Sequence, residues 1–349
     1  MPIGRIIKSC LAASFSLPLV RQLAFNLASN NALIFTLHRF QNNELGIKGH
    51  DPEFLRQCLT ELRRQKYNLV SIDDIVEAQL QGKVIENAVA FTVDDGYSDH
   101  AEVGGDVFIE FDCPATFFLI TDFVGNVYWP EDSKVKYLLE NTQSKQLNWQ
   151  FGNFSINTAL GDENQRYAVA RRILWAAKEL PIAQMQQATA SLAKALGREI
   201  PVQAPEKYRP MSWDDARKLE QRGMRIGAHT CQHVTLSKED DDSAQTEIMD
   251  SFNTVARHAK NPSKVFCYPT GRPQDFCQRD IDILKQGGFS GAVSTTTDLF
   301  KYGDSSLNSS ANLFNMPRFG MPDNRMDFLQ YIHYLELFKS KVRNNLVTS

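Results

Sequence analysis

Uninterrupted apolar runs that stop abruptly at polar residues recur along this chain. In 88–93, Ala88-Val89-Ala90-Phe91-Thr92-Val93, the residues are apolar without alternation and rich in β-branched and aromatic types. That is the pattern of a strand buried on both faces. It ends in Asp94-Asp95-Gly96. The run 31–37 reads the same way and ends in His38-Arg39-Phe40. Further strands are predicted at 67–70, 113–120, 224–228, 263–268, 291–295 and, as a last short one ending at Arg318, 312–317.

Between these runs lie helical patterns with recognisable starts. Asp51-Pro52-Glu53 supplies an N-cap, a proline in the first turn and an early acid, for a helix to about Lys66. Ser71 and Ser212 each precede a helix and stand three residues before an Asp. Helices are also predicted from near Ser98, over 239–259 and 275–286, and from Asp323 to about Val342. From Thr121 to about Pro210 the alternation stops, and this stretch reads as a mostly helical insertion with helices at 162–180 and 182–197. It carries Trp129, Trp149 and Trp175, which suit a ligand surface and equally suit a small core.

Strand–helix alternation with fully apolar strands implies an α/β fold with a parallel sheet covered by helices. Seven or eight such units favour a barrel, in which chemistry collects at the C-terminal ends of the strands. His38, Asp94, Asp95, His229, His233, the turn 268–271 and Arg318 each follow a predicted strand, so a barrel would gather them at one end. The expected organisation is an N-terminal amphipathic helical segment, 1–30, and one domain, 31–349, interrupted by the insertion at about 121–210.

The chain has 349 residues and is 42% hydrophobic, enough for a large core. Its net charge, 38 − 41 = −3, gives no overall basic field for nucleic acid. The six cysteines form no CxxC pair, and most lie in apolar or helical stretches, which suits reduced, buried thiols. Arg5 and Lys8 precede a short apolar run, but Arg21 follows it at once, with no small-residue cleavage pattern directly after the run. One or two amphipathic helices over 3–29 fit better than a signal peptide; such a helix more often caps a domain, and contact with a membrane surface is the alternative. The expected location is the cytoplasm; membrane association and export stay open.

Two adjacent carboxylates repel unless a cation neutralises one of them. Asp94-Asp95 therefore suits a division of labour, one residue on a metal and one as a base. His229 and His233 are four apart, so one helical turn after the strand would place both imidazoles on one side. Two His and one Asp suit Zn²⁺, with Co²⁺, Ni²⁺ and Fe²⁺ as alternatives.

Phe91-Thr92-Val93-Asp94-Asp95-Gly96 resembles the first motif of the polysaccharide deacetylases, carbohydrate esterase family 4 with the NodB-type (chitooligosaccharide deacetylase) homology domain. His229-Thr230-Cys231-Gln232-His233, followed by Leu236-Ser237, resembles the second motif, and Tyr268-Pro269-Thr270-Gly271 the third. The resemblance covers about 32–120 and 210–320. It implies a distorted, incomplete (β/α)7–8 barrel and a metal-dependent hydrolase that removes acetyl groups from an N-acetylated glycan or lipid-linked sugar. By that resemblance Asp95, His229 and His233 ligate the metal, Asp94 is the base toward metal-activated water, and Tyr268 and the Thr270 N–H face the substrate and its oxyanion.

This chain departs from the family pattern in three places. Val93 replaces an aromatic residue. No Arg precedes Tyr268-Pro269, so Arg318 is expected to orient Asp94. The C-terminal acid histidine is missing, and His333 reads as structural. Thr36-Leu37-His38-Arg39 instead resembles the N-terminal strand of the circularly permuted, exopolysaccharide-deacetylase-like subgroup, which makes His38 the expected general acid. Alternatives are an amidase acting on a small cyclic imide or ureide, and a non-catalytic carbohydrate-binding protein.

Overall fold

The computed structural model describes residues 30–303 and 313–333. The N-terminal amphipathic segment, Cys10 and the part of the last helix beyond 333 lie outside the described residues.

Strand β1 (Asn31–Leu37) is buried at every position. Helix α1 (Pro52–Arg64) is capped by Asp51, which accepts the Glu53 N–H, and buries Leu55, Cys58, Leu59 and Leu62 at helical spacing. Short β2 (Asn68–Leu69) leads to α2 (Ile72–Leu80), where Ser71 and Asp74 form a capping box. Strand β3 (Ala88–Asp95) is buried up to its last residue. The helix expected near Ser98 begins as a π-turn, His100–Gly104, and continues as α3 (Gly105–Glu110). Gly104 is required there, since a Cβ would sit 2.2 Å from the Phe40 ring. Strand β4 (Thr116–Leu119) and one turn, α4 (Thr121–Val124), follow.

The stretch up to Pro210 contains α5 (Glu131–Asn141), β5 (Gln146–Phe151), β6 (Phe154–Ala159), α6 (Glu163–Ala177) and α7 (Ile182–Ala195). The two long helices agree with the sequence pattern. The antiparallel hairpin β5–β6 differs from the mostly helical expectation, and Trp149 lies on it. The segment builds its own core, in which Leu147, Trp149 and Ile156 pack with Val135, Ile173 and Leu192.

After the insertion come α8 (Trp213–Gln221), β7 (Arg225–Ala228), α9 (Asp241–His258), β8 (Val265–Cys267), α10 (Gln278–Gln286), β9 (Gly291–Val293), β10 (Phe300–Lys301), β11 (Phe319–Gly320) and α11 (Arg325–Ile332). The last parallel strand is thus later than the expected 312–317. Met316 makes only an isolated bridge to Val293, and Arg318 precedes β11 rather than ending a strand. The cap of α11 is Asn324, one residue beyond Asp323. β10 runs antiparallel to β1.

The parallel strands run β11-β1-β3-β4-β7 by ladder pairing. β8 pairs with β9 as a separate ribbon, joined to β7 through the Ser263 N–H to Ile226 carbonyl bond of 2.8 Å and onward through the Val293–Met316 bridge. The result is a distorted (β/α) barrel whose ring is joined outside the regular strand ladders at two places. Register sets the active end. Leu37 lies opposite Val93, Asp95 opposite Leu119, and Leu119 opposite Ala228, so His38, Asp94–Asp95 and His229 emerge together.

Candidate active site

Asp94 occupies the last fully buried position of β3. Asp95 then takes φ 94°, as does Gly96, and the strand turns sharply. Gly96 has no room for a side chain, because a Cβ would lie 2.9 Å from Val124 Cγ2 and 3.2 Å from Leu119 Cδ2. The turn separates the two carboxylates into different surroundings.

Asp94 faces Arg318. The Arg318 Nη1 lies 2.9 Å from Asp94 Oδ1 and 2.8 Å from Oδ2. The guanidinium also donates to the Ser294 carbonyl (2.9 Å), Thr92 Oγ1 (2.9 Å) and Cys267 Sγ (3.3 Å). Thr36 Oγ1 donates to Asp94 Oδ2 at 3.3 Å, and Cys267 Sγ lies 3.4 Å from the same oxygen. Burial pushes the Asp94 carboxyl up, but Arg318, His229 and His38 outweigh it and hold the group well below the usual carboxylate range. Asp94 is therefore an ionised carboxylate fixed by a buried cation.

Asp95 has no such partner. Its Oδ1 is buried and accepts no hydrogen bond among the described residues. That oxygen lies 3.7 Å from His229 Nε2 and 3.6 Å from His233 Nε2, beyond hydrogen-bonding distance. Three ligand atoms held tetrahedrally around one ion at about 2.1 Å stand roughly 3.4 Å apart, so this spacing suits a shared cation. His229 Nδ1 lies 2.7 Å from the Cys267 carbonyl, which can only accept, so Nδ1 carries the proton and Nε2 presents its lone pair. Burial, then His233, lowers the His229 pKa to about 4, leaving the ring neutral and ready to ligate near pH 7.

Asp94, His229 and Cys267 form a second group within metal-holding distance. It fits an ion less well. A guanidinium already neutralises Asp94, and burial pushes the Cys267 thiol well above its ordinary pKa.

The His-x-x-x-His segment is not the helical turn expected from its spacing. Residues 229–235 form a loop in which Thr230 and His233 adopt left-handed φ of 62° and 61°. Thr230 Oγ1 accepts the His233 N–H at 2.9 Å and folds the loop back on itself. The two imidazoles meet through this reversal, with ring centroids 5.0 Å apart. Cys231, between them, belongs to neither metal-holding group.

A cavity of about 980 Å³ opens over these residues and reaches from Asp94 and His229 to helices α5 and α6 of the insertion. His38 stands at its mouth, exposed and outside both metal-holding groups. The His38 carbonyl accepts from the Nε2–H of buried His100, and Asp99 binds the next two residues through Arg39 Nε (2.8 Å) and the Phe40 N–H (2.6 Å). Sequence reasoning misses this support, although both residues closely follow the Asp94 motif. Thr270 also lines the cavity; its φ is 60°, and its N–H donates to no described residue. Tyr268 borders the cavity, but its hydroxyl is committed to the Phe314 carbonyl (3.1 Å) and its ring stacks on Phe276. It shapes the wall and does not present a free hydroxyl.

The aromatic lining of the cavity is Tyr97, Tyr167 and Tyr208 along with Tyr268. None of the three tryptophans of the insertion lines it. Trp129 and Trp149 are core residues, and Trp175 is exposed beneath Arg272 and Lys178.

Residues 81–290 match the protein-family model described as polysaccharide deacetylase. No curated protein sequence matches the chain. Among solved structures, the chain resembles the Streptococcus pyogenes deacetylase PplD in complex with acetate, at TM-score 0.56 and 15% identity over 87% of this chain and 98% of that one. It also resembles IcaB from Ammonifex degensii (TM-score 0.53, 13% identity, 87% and 97% covered). A third is a de-N-acetylase from Aggregatibacter actinomycetemcomitans (0.51, 14%, 86% and 99%). At these identities the likenesses speak for the fold.

Proposed function

The chain belongs to the polysaccharide deacetylase family, and from that premise we propose that it is a metal-dependent hydrolase removing acetyl groups from N-acetylated sugars of a polysaccharide or glycolipid. One observation carries the reading. A buried Asp95 oxygen with no hydrogen-bond partner among the described residues faces two histidine nitrogens at 3.6 and 3.7 Å, beside a second carboxylate already locked to Arg318.

Asp95, His229 and His233 would hold the ion, which we take to be Zn²⁺, with Co²⁺, Ni²⁺ or Fe²⁺ as alternatives. Such an ion lowers the pKa of a water and polarises a carbonyl when bound. Asp94 accepts the proton of the attacking water, and Arg318 keeps it ionised and oriented. The Thr270 N–H, which has no acceptor among the described residues, donates to the oxyanion that develops as the amide carbonyl becomes tetrahedral. His38 gives a proton to the leaving nitrogen, since an amine must leave neutral. His100 and Asp99 hold the backbone that presents it.

A cavity of about 980 Å³ with tyrosine walls suits an extended sugar better than a one-ring imide or ureide. The insertion supplies one wall, so substrate choice is assigned to it. Contact of residues 1–30 with a membrane, in a cytoplasmic protein, stays part of the proposal on sequence grounds. Among the described residues no helix is long and apolar enough to cross a bilayer.

The test is acetate release from N-acetylglucosamine oligomers by the purified protein. Release that stops on chelation and returns with Zn²⁺ is expected. Release unaffected by chelation contradicts the metal reading, and release from none of the N-acetylated glycans tried contradicts the substrate class.

A further inference from the structure

We infer that Glu247, on α9, is a positioning residue that sets the spacing of His229 and His233; the inference rests on the metal-site reading above. The loop from 229 to 233 has two left-handed non-glycine residues, so its shape must be imposed from outside. Its backbone bonds show what imposes it. The His229 N–H donates to the Leu119 carbonyl at 3.0 Å. The carbonyls of Thr230 and Cys231 accept from the N–H groups of Thr121 (3.2 Å) and Asp122 (3.1 Å), at the start of α4. The Thr230 hydroxyl takes the His233 N–H. Two further donors, the N–H groups of Cys231 and Gln232, both go to one oxygen, Glu247 Oε2, at 2.8 and 3.0 Å.

Glu247 is thus the only side chain from another element that holds the loop backbone at its tip, among the described residues. It touches neither imidazole and stands outside both metal-holding groups. Its carboxyl grips the two peptide units midway between the ligands, and its helix is anchored by the buried neighbours Ile248 and Ser251. Without that acceptor, two partly buried N–H groups lose their partner, and the strained turn that brings His233 back toward His229 is left with the bonds from Thr121 and Asp122 on its outer side. Outer partners of this kind commonly change metal affinity about 10–100-fold.

The experiment is Zn²⁺ affinity by competition with a chromophoric chelator, on the full chain, with a thermal melt of each metal-free variant. Glu247→Ala is expected to weaken Zn²⁺ binding about 10–100-fold, whereas Glu247→Gln, which keeps an acceptor oxygen, stays within about threefold of wild type. The absorption spectrum of the Co²⁺-loaded protein should change in the Ala variant and not in the Gln variant. If Glu247→Ala does not fold, Glu247→Asp serves: the shorter reach should give intermediate weakening. Wild-type affinity and spectrum in a folded Ala or Asp variant overturn the inference. His233→Ala in the same titration separates the two levels. If it binds Zn²⁺ like wild type, the site reading itself fails; if it loses Zn²⁺ while Glu247→Ala does not, only the role of Glu247 fails.

Discussion

The two sides of the β3 terminus differ in where their positive charge comes from. On one side Asp94 is met by Arg318, a fixed, fully buried guanidinium with its own carbonyl, hydroxyl and thiol partners. On the other, Asp95 is met by two histidines, of which His229 is held neutral by burial, and its inner oxygen has no hydrogen-bond partner among the described residues. Two adjacent carboxylates repel unless a cation neutralises at least one of them. The fold supplies a permanent cation to the first and a ligand set without one to the second. That asymmetry is why one aspartate suits a base and its neighbour a metal ligand.

The largest effect that would sharpen this contrast is on catalysis. Asp94→Asn should lower kcat by about 10²–10⁴-fold while metal content stays near wild type. Metal loss in Asp94→Asn together with retention in Asp95→Asn would reverse the two roles. Stability comes next. Arg318→Met leaves Asp94 buried without its cation and should cost roughly 3–5 kcal/mol in denaturant unfolding. Adding Asp94→Asn should recover part of that loss, since the orphaned charge is then gone. A cost under about 1 kcal/mol for Arg318→Met would mean the buried pair is not what holds Asp94 ionised. The smallest effect is selective. His38→Ala should slow N-deacetylation about 10²-fold but cleavage of an activated aryl acetate far less, because an aryl oxide leaves without a proton. Equal losses on both substrates would make His38 a structural residue.

Much of this arrangement is legible in the amino-acid sequence. Strands such as 31–37 and 88–93 announce themselves because burial on both faces demands unbroken apolar runs. Their polar successors share an end because parallel register forces it. The hairpin at 146–159 is harder to see. Leu147, Trp149 and Phe151 alternate with polar residues, and Gly152-Asn153 is a turn pair, but the strong helical periodicity on its C-terminal side masks so short a signal. The histidine loop is hidden for a different reason. A spacing of four does not distinguish a helical turn from a reversal built on two left-handed residues, and tertiary bonds decide between them. Arg318 can be matched to Asp94 only through family resemblance, since 224 positions separate them. Glu247 hides among Asp241, Asp242 and Asp250 on a helix whose acids look alike in sequence.

The most direct measurement is metal content of the purified protein, read by inductively coupled plasma mass spectrometry beside that of His229→Ala/His233→Ala. The account predicts close to one divalent ion per wild-type chain, removable by chelation, and essentially none in the folded double variant. Equal occupancy in the two proteins would contradict the assignment of Asp95, His229 and His233 as the metal site.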